Sequence, residues 1–531
     1  MRSTFMGLET ARRGMYTQQS ALQTTGHNIA NANTPGYSRQ RINFEQTEPY
    51  PNAALNRPQI PGQVGTGVKA GSIQRVRESF LDVQYRGENN KLGYWETRAE
   101  AYNKLEEVLN EPSESGLSKT MDQFWQSLQD LAVNPTNPGA RSVVRQRGIA
   151  VAETFNYLHN SLSSIQRDLK NEVSVSEKEI NSLTYQISKI NGQIADVEPH
   201  GYLPNDLYDE RDRLIDELSS LVNIKVDYTS SSGGALQMAD GQAVIKMVSD
   251  SGKELGILVS GDRQNDVTVN FDGASEAVKT ISIGSSTFDF TDLHSTGKLQ
   301  ALVDSYGYEE GGKVAGVYPD MMKELDNLAY AFATEFNAVH AKGVSPNDIV
   351  NAEKAENPFF ADAENVPIQR AGFAGRIELA QEIHNSLDNI ATAQGEEKLD
   401  ANGVPYVDAT VGDSSNALAL ADVFNKPLEY LEDFTPTDPA DDELANFRNY
   451  YEGVIGGMAV LSQEAVRLTQ NSNSLRESVD NRRKSVSSVS LDEEMTNMIQ
   501  FQHAYNASAR MISLQDEMLD KIINGMGTAG R

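Results

Sequence analysis

The sequence predicts a mainly α-helical chain of several domains with one β-rich insertion. Its N- and C-terminal helices are expected to pair as a coiled coil, followed by a long helical bundle. Three observations carry this. Both ends repeat an apolar residue every seven positions: Leu8, Met15, Leu22 and Ile29 near the start, and Leu491, Met498, Tyr505, Ile512 and Leu519 near the end. Two interior stretches repeat apolar residues in steps of three and four. Between them the period changes to two. A sustained seven-residue repeat keeps one narrow stripe turned toward a partner helix, so stripes at opposite ends of 531 residues imply that the termini meet and the rest projects from them.

The first helix is expected from about Ser3 to Asn31. Asn33-Thr34-Pro35-Gly36 ends it, because proline disfavours helix at the preceding residue and glycine opens the turn. Residues 37–77 read as extended and looped, with prolines at 49, 51, 58 and 61. Helical periodicity returns near Phe80 and continues to Asn134. Pro138 opens a long helix whose stripe is Phe155, Leu158, Leu162, Ile165, Leu169, Val173, Ile180, Leu183, Ile187, Ile190, Ile194 and Val197, and Pro199 closes it. A matching rod near the other end carries Phe447, Tyr451, Val454, Met458, Leu461, Ala465, Leu468, Leu475 and Val479, with Ser472 on its seam. The two rods are natural partners, although a three- or four-helix bundle would leave the same pattern.

Strand-like alternation appears at Ile224–Thr229, Val267–Phe271, Thr280–Ile283 and Thr287–Phe290, separated by Gly233-Gly234, Asp240-Gly241, Ser251-Gly252 and Asp272-Gly273 turns. Helix resumes after Pro319, with Met322, Leu325, Leu328, Phe332, Phe336 and Val339 on one face. Residues 343–445 read as loops with short helices such as Ser415–Phe424. A break at Ser485–Ser490 precedes the last helix, which Ser490 and Glu493 would open as a capping box and Gly525 would close. The expected division is 1–45 with 485–531 as the terminal coiled-coil domain, 46–225 with 313–484 as the helical rod domain (343–445 irregular), and 226–312 as the inserted β-rich outer domain.

Composition narrows the function. Net charge is −29, from 46 basic and 75 acidic residues, which argues against nucleic acid as a partner because phosphate binding needs a basic footprint. The charge is uneven: residues 1–80 hold nine Lys/Arg against four Asp/Glu, a net of +5 that leaves −34 on the remainder. This fits either a solvated face or packing between oppositely charged neighbours. No apolar run approaches the ~20 residues of a membrane span, and the N-terminus lacks the apolar core of a cleaved signal peptide. A bilayer-surface role for the first helix, with Arg12 and Arg13 opposite its stripe, competes with a helix partner; its neutral Gln18, Gln19, Gln23, Asn28 and Asn31 favour the partner. Cysteine is absent, which removes disulfides, thiolate catalysis and Cys-based metal sites.

No catalytic, cofactor or metal site emerges. The seven histidines are scattered without metal spacing, and no H-E-x-x-H, G-x-S-x-G or phosphate-loop lysine motif occurs. Gly65-Thr66-Gly67 with Gly71 has the wrong spacing for a nucleotide loop. Asp209-Glu210-Arg211-Asp212 reads as charge on the first turn of a helix ending near Leu221, and Asp438, Asp441 and Asp442 as the start of the second rod.

The segment Ala21-Leu22-Gln23-Thr24-Thr25-Gly26-His27-Asn28-Ile29-Ala30-Asn31-Ala32-Asn33-Thr34-Pro35-Gly36-Tyr37 resembles the flagellar rod, hook and hook-associated axial proteins. So does Ser490-Leu491-Asp492-Glu493-Glu494 through Gln502-His503-Ala504-Tyr505-Asn506-Ala507-Ser508-Ala509-Arg510. Within that family, Asp209–Leu214 and Gly412-Asp413-Ser414-Ser415-Asn416-Ala417-Leu418-Ala419-Leu420 are similar to the hook-associated protein 1 group. The resemblance implies a non-enzymatic structural subunit at the junction of hook and filament in the bacterial flagellum. It would lie outside the cell and be exported through the flagellar channel without cleavage. The implied partners are further copies in a tubular homo-oligomer, the hook protein on one side, a second hook-associated protein on the filament side, the export apparatus, and an export chaperone on the C-terminal helix. No nucleic acid, membrane or cofactor is implied. The heptad residues named above would be the assembly contacts, and Asn28, Asn31, Pro35, Gly36 and Tyr37 the turn out of the coil. Both termini are expected to order on assembly, since so narrow a stripe buries little. Two rival readings are another axial subunit, such as the hook protein, and an extracellular adhesin or enzyme carried on an axial scaffold at 226–440. A concave pocket with converging titratable groups would favour the second.

Overall fold

The computed structural model describes residues 4–51, 54–55, 58, 62–109, 116–273, 275–364, 367–399, 405–426 and 446–525. Helix α1 (Thr4–Ala30) ends in the 31–36 turn, where Gly36 takes a φ of 82°. A hairpin follows, β1 (Gln40–Gln46) and β2 (Val68–Arg75), antiparallel and laid along α1. The 80–134 stretch is two helices, α2 (Ser79–Leu109) and α3 (Leu117–Val133). Helix α4 (Pro138–Val197) has 60 residues, about 90 Å at 1.5 Å each. Asn137 caps it through Gly139 N–H, with Pro138 in the first turn where no amide is needed. Its stripe is the spine of the core: Phe155, Leu162, Val173, Ile180, Ile187 and Ile194 are wholly buried.

Helix α5 (Asn205–Leu221) returns along α4. Two small sheets follow. The first runs β3 (Ile224–Thr229), β4 (Gln242–Val248), β5 (Glu254–Ser260), β6 (Arg263–Gln264), each pairing with the next in antiparallel fashion. The second holds β7 (Val267–Phe271), β8 (Val278–Ile283), β9 (Ser286–Asp289), β10 (Tyr308–Glu310) and β11 (Lys313–Ala315), and is not wholly antiparallel because β10 joins β8 in parallel. The alternation in 287–290 stops one residue early, since Phe290 begins a 3-10 turn and turns its ring into the core. Helix α6 (Lys298–Tyr306), which periodicity did not disclose, runs between β9 and β10 and packs on α2 and α4.

Helix α7 (Val317–Lys342) starts ahead of Pro319, which sits in its first turn. Its Phe332 and Phe336 meet Phe124, Phe359 and Phe360 in a buried aromatic cluster. The irregular region contains α8 (Pro346–Asn351), α9 (Gln381–Asn385) and α10 (Ser415–Asp422), with short paired strands between them. Asp438, Asp441 and Asp442 lie outside the described residues. The chain ends in α11 (Phe447–Ser487) and α12 (Leu491–Gly525).

The two rods do not pair. Helix α11 runs along α2, while α4 is packed by α3, α5, α6 and α7. A helical period fixes which face is buried but not which helix covers it. Half of the α11 stripe is thinly covered as a result: Ala465 is wholly buried, but Leu461 and Leu475 are 44% and 50% exposed.

Helix α4 is tied to both sheets by asparagines that behave like one residue of an extra strand. Asn181 donates Nδ2–H to Val267 O (2.8 Å) and accepts Val267 N–H at Oδ1 (2.7 Å). Asn191 makes the same two bonds with Ala243 (2.9 and 3.1 Å). Asn337 on α7 does so with Phe360 (2.8 and 2.9 Å). Each clamp gives a strand residue the backbone partners that no neighbouring strand supplies at that position, inside the protein, where unpaired backbone groups are costly.

Candidate assembly interface

Helices α1 and α12 lie side by side and antiparallel. Their closest approach follows one register: Gly7 meets the Gln515 side chain, Gly14 meets Ser508, and Asn28 meets Glu494. Stepping the same register by seven sets Ala21, wholly buried, level with Phe501. A Cβ built on Gly14 would stand 3.1 Å from Ser508 Oγ, so glycine lets the backbones approach here. The innermost line of α1 is therefore Gly7, Gly14, Ala21 and Asn28. Leu8, Met15, Leu22 and Ile29 flank it, half-buried. On α12, Met498, Tyr505, Ile512 and Leu519 are likewise half-buried, and Leu491, at the start, is 48% exposed. The same period would have disclosed the inner line, had small residues been counted with apolar ones.

A second apolar surface stays open. Met495, Ile499, Met511, Leu514, Met518 and Ile522 on α12, and Phe5 and Tyr16 on α1, are all more than a third exposed. Exposed apolar area of this extent marks an interaction surface.

The base of the pair is polar and closely fitted. Asn28 is 1% exposed. Its Oδ1 accepts from Tyr37 O–H (2.8 Å) and Gln40 N–H (3.0 Å), and its Nδ2 donates to Gln40 O (2.8 Å) and Glu494 Oε2 (3.1 Å). It clamps β1 as Asn181 clamps β7, and it also holds the first turn of α12. Asn31 closes the end of α1 on His27 O and takes the Thr34 hydroxyl, while Pro35 and Gly36 complete the turn. Glu493 does not form the expected box with Ser490: its carboxylate pairs with Arg39 at 2.7 Å, and Glu494 pairs with Arg39 at 2.8 Å.

Arginines from β2 onward meet acids from α5 and, at Asp82, from α2. Arg75 pairs with Asp209 (2.8 Å) and Asp212 (3.0 Å), Arg77 with Asp82 (2.7 Å), Arg86 with Asp216 (2.8 Å) and Asp212 (3.2 Å), and Arg483 of α11 with Asp216 (2.5 Å). Asp209 and Asp212 are thus buried partners past the first turn of α5, not charges tuned to its dipole. Burial would push Asp212 up, but Arg77, Arg75, Arg86 and Arg211 together hold its carboxyl far below the usual carboxylate range. The basic excess of residues 1–80 is here a packing feature, at least for Arg39, Arg75 and Arg77. Gly65–Gly67 belongs to the hairpin: Arg13 donates to Thr66 O, and Gly67 packs on Thr10.

Among the described residues no group of three or more His, Asp or Glu is placed to hold a metal, and no helix is long and apolar enough to cross a membrane. A cavity of about 670 Å³ between α4 and α7 holds His159, Lys323, Asp326 and Arg370. The Asp326 carboxylate accepts Gly372 and Ala374 N–H (2.7 and 2.9 Å), and His159 packs on Gly375 with Nδ1 3.8 Å from Asp326. The Asp326 carboxylate is accounted for by holding the 372–375 turn, whereas His159 Nδ1 is buried with no hydrogen-bond partner.

Comparison with known proteins agrees with this layout. The family model for the flagellar hook-associated protein FlgK helical domain matches residues 102–360, that for flagella basal body rod proteins matches 8–37, and that for the C-terminal part of flagellar basal body rod FlgEFG proteins matches 485–525. Flagellar hook-associated protein 1 of Bacillus subtilis (strain 168) is 44% identical over the full length of both chains. Its namesake in Salmonella typhimurium (strain LT2) is 24% identical over 97% of this chain and 98% of its own. The structure of the flagellar hook junction protein FlgK from Burkholderia pseudomallei shares the fold, with a TM-score of 0.57 over 77% of this chain and all of that one at 14% identity. The chain belongs to the flagellar hook-associated protein 1 family.

Proposed function

We propose that this protein is a structural, non-enzymatic subunit of the bacterial flagellum that joins hook to filament and assembles through its terminal helix pair. The observation that carries the reading is the α1–α12 pair itself: antiparallel, drawn close by small residues, fixed at its base by Asn28, and bare on its outer apolar face. Other copies of the chain cover that face in a tube, with the hook protein on one side and a second hook-associated protein on the other. The protein lies outside the cell and reaches its place through the flagellar export apparatus without a cleaved signal. A chaperone shields the C-terminal helix beforehand, a reading supported by the exposed methionines and isoleucines of α12. The distal part of the pair, which the body does not cover, orders on assembly; the base, tied through Asn28 and Glu494, is docked already.

Deleting residues 1–35, or separately 491–531, tests the reading. Each truncated chain is expected to remain a folded, soluble monomer, because the core lies in α2 to α11 and the sheets, and to be absent from the tube. Incorporation at the parental level would overturn the proposal.

A further inference from the structure

A groove lies on the body of the protein, along the middle of α4. The cavity of about 670 Å³ that holds His159 continues into a second of about 230 Å³, because Gln166 of α4 and Val314 of β11 line both. From His159 to Lys170 the helix rises about 16 Å at 1.5 Å per residue, the reach of about five residues of extended chain. Half-buried Pro319 and Met322, with Val314 at 39% exposed, give the groove an apolar strip.

Its charge runs against that of the chain. Arg167 and Lys170 stand on the α4 bank and Lys323 and Arg370 on the other, against two acids, Asp326 and Glu276. Both acids are engaged: Asp326 accepts Gly372 and Ala374 N–H, and Glu276 pairs with Lys170 at 3.0 Å. Arg167 is exposed and makes no ion pair among the described residues, its Nε reaching only Ser163 O at 3.3 Å. The Arg370 guanidinium lies over the Tyr330 ring, 4.8 Å from its centroid, which holds it in place. His159 adds an orphan. Gly375 abuts the Cδ2–Nε2 edge of its ring, and Nδ1 on the opposite edge is buried without a partner, 3.8 Å from Asp326. Buried polar atoms are rarely left so, and an amide or carboxyl group entering the groove would supply the missing bond.

We propose that this groove docks an extended, acidic segment of a partner protein chain, its carboxylates set against Arg167, Lys323 and Arg370 and an apolar side chain against Met322 and Pro319. Charge complementarity selects the occupant: a basic segment would meet like charge, and a wholly apolar one would cover cations without answering them. The groove is open and its charges reach water, so binding is modest and weakens with salt. Such a site is separate from assembly through the terminal helices.

Fluorescence anisotropy of a short labelled glutamate–leucine peptide, titrated with the full-length protein, tests this. Binding is expected to saturate. Arg167→Glu with Lys323→Glu, both exposed, should weaken it about tenfold. Lys178→Glu with Lys189→Glu, exposed on α4 outside the groove, changes net charge equally and should leave affinity within about twofold of the parent. Self-association of the chain that the acidic peptide displaces would support the same chemistry, with the segment on a second copy. Absence of saturable binding, equal weakening by the two pairs of substitutions, or equal affinity for a glutamine–leucine peptide would overturn the proposal. The measurement reads only the body, so it stands whether or not the terminal helices are ordered and whether or not the chain enters a tube.

Discussion

Replacing Asn28 by aspartate changes one NH2 group to an oxygen and almost nothing in shape, which makes it a sharp probe of the joint. The acceptor bonds from Tyr37 O–H and Gln40 N–H survive. The two donor bonds, to Gln40 O and Glu494 Oε2, are lost. Leaving the Gln40 carbonyl without its donor costs about 1–3 kcal/mol. The new carboxylate also faces Glu494, which is 2% exposed and separated from it by one hydrogen-bond length; at an effective dielectric of ~20 the repulsion at 3–4 Å is roughly 4 kcal/mol before relaxation. A loss of about 4–6 kcal/mol is expected, confined to the base of α1, the start of α12 and β1. Adding Glu494→Gln to Asn28→Asp supplies an amide that donates to the new carboxylate, so the double variant should be more stable than the sum of the singles by about 2–3 kcal/mol. Opening free energies from amide exchange over residues 24–46 and 491–500 measure both quantities. An Asn28→Asp loss below about 1 kcal/mol, or no rescue by Glu494→Gln, would refute the assignment of Asn28 as the pin of the joint.

Other outcomes follow from the same geometry. Gly93 lies in α2 against Ser220 O of α5, where a Cβ would stand 2.2 Å away; Gly93→Ala is expected to destabilise by about 3 kcal/mol or more, against the gain of up to ~1 kcal/mol it would bring in an open helix, as denaturant unfolding would measure. Gly14→Leu should separate α1 from α12 and abolish incorporation into the tube while leaving the body's melting unchanged, whereas Gly14→Ala, at 3.1 Å from a rotatable Ser508 hydroxyl, should be tolerated. His340 donates Nδ1–H to Asn357 O and accepts Ala391 N–H, and burial pushes it down to about 4; its contribution is intact above ~6.5 and falls away by about 3 kcal/mol as pH drops from 6.5 to 4. Asp304, pushed up to about 6 by burial, works in the opposite sense: its contribution is full below ~3.8 and is lost as pH rises through 6. Asp304→Asn should therefore raise stability at pH 7 and steepen its loss between pH 6 and 4, read from urea unfolding at several pH values; parallel pH profiles in parent and variant would contradict the two assignments.

What the sequence could and could not disclose has a physical cause in each case. Apolar periodicity reports burial, so α1, the whole of α4 from Pro138 to Val197 and the bundle face of α7 are legible to within a residue or two, whereas the terminal heptad residues flank the line of closest approach, half-buried apart from the exposed Leu491. Periodicity does not report partners, so the pattern that suggests α11 beside α4, and equally fits a three- or four-helix bundle, belongs to a helix lying on α2. Strands β4 and β5 are absent from the sequence reading, although Ala243, Ile245 and Met247 alternate with period two and Leu255 through Val259 is largely apolar. Helix α6 is only nine residues long, too short for its period to stand out. The acids of Asp209–Asp212 resemble a solvated first turn in sequence, because nothing local shows that Arg75, Arg77 and Arg86 arrive from more than 120 residues away.

The largest gap was in the seams between elements, and these are polar. Four asparagines, Asn28, Asn181, Asn191 and Asn337, each give a strand residue both the donor and the acceptor it would have found in a neighbouring strand. A helix offers a sheet edge no backbone partner of its own, so a fold that lays long helices across short sheets needs side chains to close those edges. Asparagine suits the role because its amide has the peptide group's own geometry, whereas aspartate keeps only the acceptor and leucine neither. In the sequence such a residue is indistinguishable from a solvated polar one. The terminal pair is attached in the same way, largely through polar contacts: the Asn28 clamp, Arg39 on Glu493 and Glu494, Arg13 on Thr66 O and Thr17 on Val68 O, which fix it without burying its outer apolar surface.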